Sequence, residues 1–122
     1  MTTEESAHRP DQPVDLSAGL GEGSLWGVAS EDLNATLVTW RANQSTPEHV
    51  NDEGDVLVVL IDGSATIRID DLEHAVRAPA AVIIPKQSLR RITAGDDGVR
   101  YVSAHVVRPS LQINSKLTTA RR

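Results

Sequence analysis

One stretch decides the fold: His49-Val50-Asn51-Asp52-Glu53-Gly54-Asp55-Val56-Leu57-Val58-Val59-Leu60-Ile61-Asp62-Gly63. A polar loop with a single histidine runs into the apolar residues 56–61, which predict a strand buried on both faces. Asp62-Gly63 favours positive backbone dihedrals and is a tight-turn signal. After it, residues 64–69 alternate between polar and apolar, as in a half-buried strand. The stretch therefore predicts a strand, a hairpin and a return strand, with a polar cluster at the start.

Similar strand signals continue on both sides of this stretch, and no segment has the period of a helix. The turn signal Gly95-Asp96-Asp97-Gly98 predicts a hairpin loop between the last two strands. About eight short strands separated by turns predict an all-β barrel or sandwich. The strand patterns outside the central stretch cover 24–28, 34–41, 74–77, 80–84, 89–93 and 99–107.

The length of 122 residues fits one domain with a single core. Aromatic residues make up only 2% of the chain, so the core must be built from Val, Ile, Leu and Ala. We expect a flexible N-terminal arm over 1–16, because this segment is polar and lacks periodicity. The barrel is expected over 17–110, and a frayed basic tail over 111–122.

Composition also excludes several classes of protein. The chain has no cysteine, which removes disulfides, thiolate metal sites and a cysteine nucleophile. A net charge of −5 argues against nucleic acid as a partner. Neither a signal sequence nor an apolar run long enough to span a membrane is visible. We therefore expect a soluble cytoplasmic protein without nucleic-acid or membrane partners.

The segment from Pro47 to Arg91 resembles the small single-domain cupins, whose fold is the double-stranded β-helix or jelly roll. Their first motif is Gly-x5-His-x-His-x3,4-Glu-x6-Gly. His49 matches the first histidine and Gly63 the closing glycine. Asn51 stands at the second histidine and Val56 at the glutamate.

The second cupin motif, Gly-x5-Pro-x-Gly-x2-His-x3-Asn, is matched only in part. Pro85 matches, whereas Ala80 and Gln87 replace the two glycines and Arg90 replaces the histidine. The resemblance implies a cupin barrel of short antiparallel strands.

In cupin metalloenzymes two histidines, a glutamate and the later histidine bind one divalent metal, and this chain keeps only His49 of the four. A catalytic divalent site generally needs three or more protein ligands. A fixed arginine cation at a ligand position also repels a dication. We therefore expect neither a metal nor another cofactor.

Two residues are candidates for binding a ligand at the barrel mouth. His49 can donate, accept or carry a proton there, or it is a loop histidine bonded to backbone. Arg90 points into the barrel if the motif register holds, and could receive a carboxylate or phosphate. Alternatively it pairs internally with a nearby carboxylate, for which the candidates are Asp52, Glu53 and Asp55.

Two further candidates depend on the local backbone. Asn51 offers a donor and an acceptor to the same pocket, or it is a turn former. His105 shares a strand face with Tyr101 and Ser103. The opposite face of that strand is apolar (Val102, Ala104 and Val106), so we expect that face to pack against the core. The alternation therefore favours an outward His105. With the opposite register, the three polar residues would form a wall of the pocket.

Three functions fit these residues. The favoured one is a metal-free cupin that binds a small, anionic organic molecule through His49, Asn51 and Arg90. The second is an enzyme, either a metal cupin with a rearranged ligand set or a metal-free isomerase or lyase. In the metal-free case His49 would be the base and Arg90 the stabiliser of developing charge. The third is a non-catalytic dimerisation module, because the resemblance implies a homodimer formed through an outer sheet face. The sequence names neither a substrate nor catalytic residues.

Overall fold

The computed structural model describes residues 7–8, 13–17, 23–51 and 54–107. Within them every regular element is a β-strand. The described part of the chain is thus all-β, as predicted. The strands are β1 (Ala7–His8), β2 (Gly23–Ala29), β3 (Leu33–Trp40), β4 (His49–Val50), β5 (Val56–Ile69), β6 (Leu72–Arg77), β7 (Ala80–Ile84) and β8 (Leu89–Val106).

Two strands, β5 and β8, connect the two halves of the fold. The first part of β5 pairs with β7 and with the last part of β8, which also pairs with β3 and through it with β2. The second part of β5 pairs with β6 and with the first part of β8, which also pairs with β4. The result is two facing sheets that share β5 and β8, with the core between them.

The two predicted hairpins are wrong. Asp62-Gly63 lies inside β5, which runs for 14 residues without a turn. Residues 95–98 likewise lie inside β8, an 18-residue strand. The register of β5 against β8 shifts between Leu60 and Asp62, and again between Gly63 and Ala65. The turn signals therefore mark a bulge where a long strand passes from one sheet to the other, which needs the same backbone freedom as a turn.

Gly63 is required by the close approach of the two shared strands. Its φ is +82°, and a Cβ added here would collide with the backbone carbonyl of Gly98. Gly98 also has a positive φ of +74°. Glycine avoids both the steric cost of this backbone region and the collision.

The core is aliphatic, as the composition predicted, and contains one aromatic ring, that of Tyr101. Its residues are Val38, Val56, Val58, Leu60, Ala65, Ile67, Ile84, Ile92, Ala94, Val99 and Tyr101. Burial of the run 56–61 on both faces is wrong: alternate residues face the core, but Leu57 is 41% exposed and Val59 and Ile61 are half-buried. The outward side of β5 over 56–61 is therefore apolar without being fully covered by the described residues.

Part of the expected N-terminal arm is described. Ala7 and His8 pair in parallel with β2, and the carbonyl of Leu16 accepts a hydrogen bond from Arg100. Residues 1–6 and 9–12 of the expected arm, and the tail over 111–122, lie outside the described residues. No helix in the described ranges has the length and apolarity needed to cross a bilayer.

Candidate functional site

A cavity of about 190 Å³ lies between the two sheets at one end of the core. Its floor is apolar, formed by Val58 and Ile92, both almost fully buried. Its walls carry polar groups from β8. The residues that line it are Thr46, Pro47, Glu48, His49, Val58, Arg90, Ile92, Tyr101 and Ser103.

The inward direction of Arg90 follows from strand alternation. Ile92 is 3% exposed and belongs to the core, so Arg90, two residues earlier on β8, has its side chain on the same face. Its register partners are Ile69 on β5 and His49 on β4. The cavity lining agrees with the prediction that Arg90 faces the interior.

The guanidinium of Arg90 is incompletely satisfied. Its Nη1 atom is buried and makes no hydrogen bond with any residue that the structure describes. Burial lowers the pKa of Arg90, while the nearby Tyr101 acts in the opposite direction. Three carboxylates were candidates for an internal partner of Arg90. One of them, Asp55, accepts a hydrogen bond from the backbone N–H of Lys86 and not from Arg90. Asp52 and Glu53 lie outside the described residues.

Tyr101 lines the cavity, although the alternation favoured in the sequence analysis predicted that its side chain faces outward. It is 3% exposed and lies opposite Leu60, a core residue. Its hydroxyl accepts a hydrogen bond of 3.3 Å from the indole Nε1 of Trp40. Burial raises the pKa of Tyr101, and this outweighs the lowering by the Trp40 bond and by the charge of Arg90.

The mouth of the cavity is formed by residues 46–49, which precede β4 and are held against β8. Thr46 donates its N–H to the carbonyl of Ile92 at 3.0 Å, and its hydroxyl accepts the N–H of Ile92 at 3.1 Å. Ser45 forms a bridge with Thr93 just before it. These bonds place Glu48 and His49 at the opening, where both side chains are solvent-exposed.

The four predicted site residues do not all meet. His49 and Arg90 line the cavity together, but Asn51 is absent from the lining and its carbonyl accepts the N–H of Gln87 at 2.7 Å. His105 lies opposite Val56, a core residue, so the expected outward direction is wrong. It is half-buried and is also absent from the lining.

The prediction that Tyr101, Ser103 and His105 face outward failed because the last part of β8 contacts apolar residues on both of its faces. Val102 and Ala104 face outward, whereas Tyr101 and Ser103 line the cavity. Only the register shows the direction, because the inward residues Val58 and Leu60 of β5 stand directly opposite Ser103 and Tyr101; the sequence carries no signal for it.

A divalent metal does not fit the described residues of this site. No three His, Asp or Glu side chains within the described ranges lie close enough together to hold an ion. Val56, at the position of the cupin glutamate, is a core residue with 1% exposure. Arg90 places its cation in the same cavity as His49.

General-base chemistry at His49 finds no support in the local contacts. The imidazole has no hydrogen-bonded partner among the residues described, whereas a catalytic base is normally oriented by a second group. The geometry is that of a small cavity with an apolar floor, one half-buried guanidinium and several hydroxyl groups.

Solved structures share the fold at low sequence identity. A cupin superfamily protein from Desulfitobacterium hafniense is 18% identical, with 80% of this chain and 93% of that chain covered and a TM-score of 0.64. A conserved Streptococcus pyogenes protein of unknown function is 21% identical, with 81% and 89% covered and a TM-score of 0.63. The cupin domain of Cnp3 from Schizosaccharomyces pombe is 16% identical, with 70% and 63% covered and a TM-score of 0.62.

No protein-family model matches the sequence, and no curated protein does. The fold is nevertheless that of the small cupins, an all-β jelly roll, as the resemblance implied.

Proposed function

We propose that this protein binds a small anionic organic molecule in the cavity without using a metal, and that Arg90 receives the anion. One observation carries the proposal: Arg90 lines the cavity, and its Nη1 atom is buried without a hydrogen-bond partner among the described residues. His49 lies at the mouth, where it can contact the outer end of the ligand.

The energetic reason is the cost of an unsatisfied buried donor. Leaving such a group without a partner costs about 1–3 kcal/mol, and more for a charged group. A bound anion would supply the missing acceptor and the opposite charge, and charge-assisted hydrogen bonds are the stronger kind. An arginine at this place is therefore expected to serve a ligand rather than stability.

The test is a series of thermal melts of wild type, Arg90→Met and Arg91→Met with sodium butyrate, sodium acetate and inorganic phosphate. Arg91 is the matched control, because it is the next residue on β8 and is exposed. An anion at about 100 times its Kd stabilises the folded state by about 2.7 kcal/mol, so we expect a rise of several degrees for wild type and Arg91→Met only. Without ligand, Arg90→Met should melt at or above the wild-type temperature.

Equal shifts in all three proteins would contradict the proposal, because the anion would then act on the solvent or elsewhere on the surface. Metal analysis of protein purified without chelator tests the metal-free part. Near-stoichiometric metal that is lost in His49→Ala would overturn it.

A second proposal concerns self-association through the outer face, defined as the outward side of β3, β8, β5 and β7. Its uncharged part consists of Leu33, Ala35, Val102, Ala104, Val106, Leu57, Val59, Ala81 and Ile83. Leu37 lies on the same side but is fully buried within the chain, and Thr39 and Arg100 form a polar edge. Leu57 and Ile83, which are register partners, are 41% and 59% exposed. We propose that a second copy of the chain covers this face, since two molecules of net charge −5 approach best where neither is charged.

A further inference from the structure

We infer that the ligand is a short-chain monocarboxylate whose two oxygens accept hydrogen bonds from the guanidinium of Arg90 and from the hydroxyl of Tyr101. The inference rests on the proposed function and narrows it to one class of anion. It also assigns Tyr101 as a second binding residue.

Trp40 decides what the Tyr101 hydroxyl can do. An indole N–H is a donor only, so in the 3.3 Å bond between them the tyrosine oxygen is the acceptor. The hydrogen of the hydroxyl is therefore not used in that bond. No described residue accepts it, and Tyr101 lines the cavity. An acceptor in the cavity would complete the hydrogen bonding of this group.

The protonation state of Tyr101 suits an anionic partner. Because burial raises its pKa above the ordinary value of 10.0, the phenol keeps its hydrogen throughout the neutral range. A phenolate would repel an anion, whereas a neutral hydroxyl donates to it. Arg90 and Tyr101 thus form a pair of donors, one charged and one neutral, in the same cavity.

This pair fits a carboxylate better than other ions. A carboxylate carries one negative charge and two oxygens that accept in one plane, which matches one cation and two donors. A phosphate monoester carries about −1.5 to −2 charges at neutral pH, while Arg90 is the one cationic side chain of fixed charge in the lining. Glu48 at the mouth adds a repulsive charge. An amine would be repelled by Arg90.

The size and floor of the cavity favour a short aliphatic chain. A volume of about 190 Å³ is that of roughly six water molecules, well below the pockets that hold drug-sized ligands. Behind the donors, Val58 and Ile92 offer an apolar surface. A carboxylate of a few carbons can therefore reach the donors and bury its chain.

The experiment is calorimetric titration of wild type with butyrate, its neutral isostere butyramide, butylamine and methyl phosphate, followed by butyrate with Tyr101→Phe. We expect butyrate to bind at least about tenfold more tightly than each of the others. Tyr101→Phe, which removes only the hydroxyl, should weaken butyrate roughly tenfold to a hundredfold, as for a hydrogen bond to a charged group. Thermal melts of the variant without ligand check that it is folded.

The outcomes separate the inference from the proposed function. Equal or tighter binding of methyl phosphate, or unchanged butyrate affinity in Tyr101→Phe, overturns the carboxylate assignment and leaves the anion site standing. Equal binding of butyramide, or no binding by either anion, overturns the anion site as well. The four-ligand comparison uses wild type alone, so it remains decisive if Tyr101→Phe does not fold.

Discussion

Arg90 and Tyr101 supply the two donors of the proposed anion site, and both lie on the inward side of β8. The position of Arg90 could be predicted, because the spacing after Pro85 resembles a motif whose later histidine faces the interior. Tyr101 could not, because alternation leaves two possible phases and the apolar neighbours Val102 and Ala104 favoured the wrong one. Those neighbours lie on the outer face, which is itself apolar. Hydrophobicity alone therefore cannot tell the inward side of this strand from the outward side.

The buried phenol makes stability depend on alkaline pH. Tyr101 has a raised pKa in the folded state. Its contribution to the free energy of unfolding is therefore complete below the unfolded-state pKa of about 10. It is lost as the pH rises through the folded-state pKa, because only the unfolded chain ionises easily. We expect melts between about pH 8 and pH 11 to fall more steeply for wild type than for Tyr101→Phe.

The measurement is clean because the chain has a single tyrosine. The near-ultraviolet absorbance of phenolate therefore reports this group alone in the native protein. Parallel melting curves for the two proteins, or a phenolate signal that develops at the pH of a model peptide, would show that Tyr101 is not buried as described.

At the scale of elements, the strand locations could be predicted and the connections could not. The patterns at 34–41 and 80–84 correspond to β3 and β7. The two glycine-containing turn signals, however, lie inside β5 and β8. A positive φ at glycine serves a hairpin and a bulge equally well, and only pairing with distant strands distinguishes them.

Gly63 gives the sharpest test of this arrangement. We expect Gly63→Ala to lower the free energy of unfolding by at least about 2 kcal/mol, because the new Cβ meets the backbone of Gly98 and φ is positive. Gly54→Ala is the matched control, since a Cβ there would have no heavy atom within 4 Å. Its effect should stay within about 0.5 kcal/mol. Urea unfolding measures both, and equal values would contradict the bend at Gly63.

At the scale of the whole molecule, the outer face determines the expected assembly. We expect light scattering to show a dimer for wild type, and Ile83→Lys to shift it toward monomer, because a lysine introduced on the apolar face must be desolvated. Leu72→Lys is the control. Leu72 is 65% exposed, but it lies on β6, which is not one of the strands that form the outer face.

A wild type that remains monomeric at the highest concentration tested would contradict self-association through the outer face. Circular dichroism of Ile83→Lys confirms that a change of mass reflects the interface and not unfolding. A dimer that persists in Ile83→Lys but dissociates in Leu72→Lys would move the interface to the other sheet.

The sharing of β5 and β8 between the sheets also has a consequence for synthesis on the ribosome. When β5 has been translated, its principal partner does not yet exist, because β8 ends only at Val106. At the usual rate of chain elongation the nascent protein therefore waits seconds before its core can close. During that time the apolar run 56–61 can meet β7 but not β8. The core of this jelly roll therefore cannot close until β8 has been translated, and the half-made chain is the form most in need of protection from aggregation.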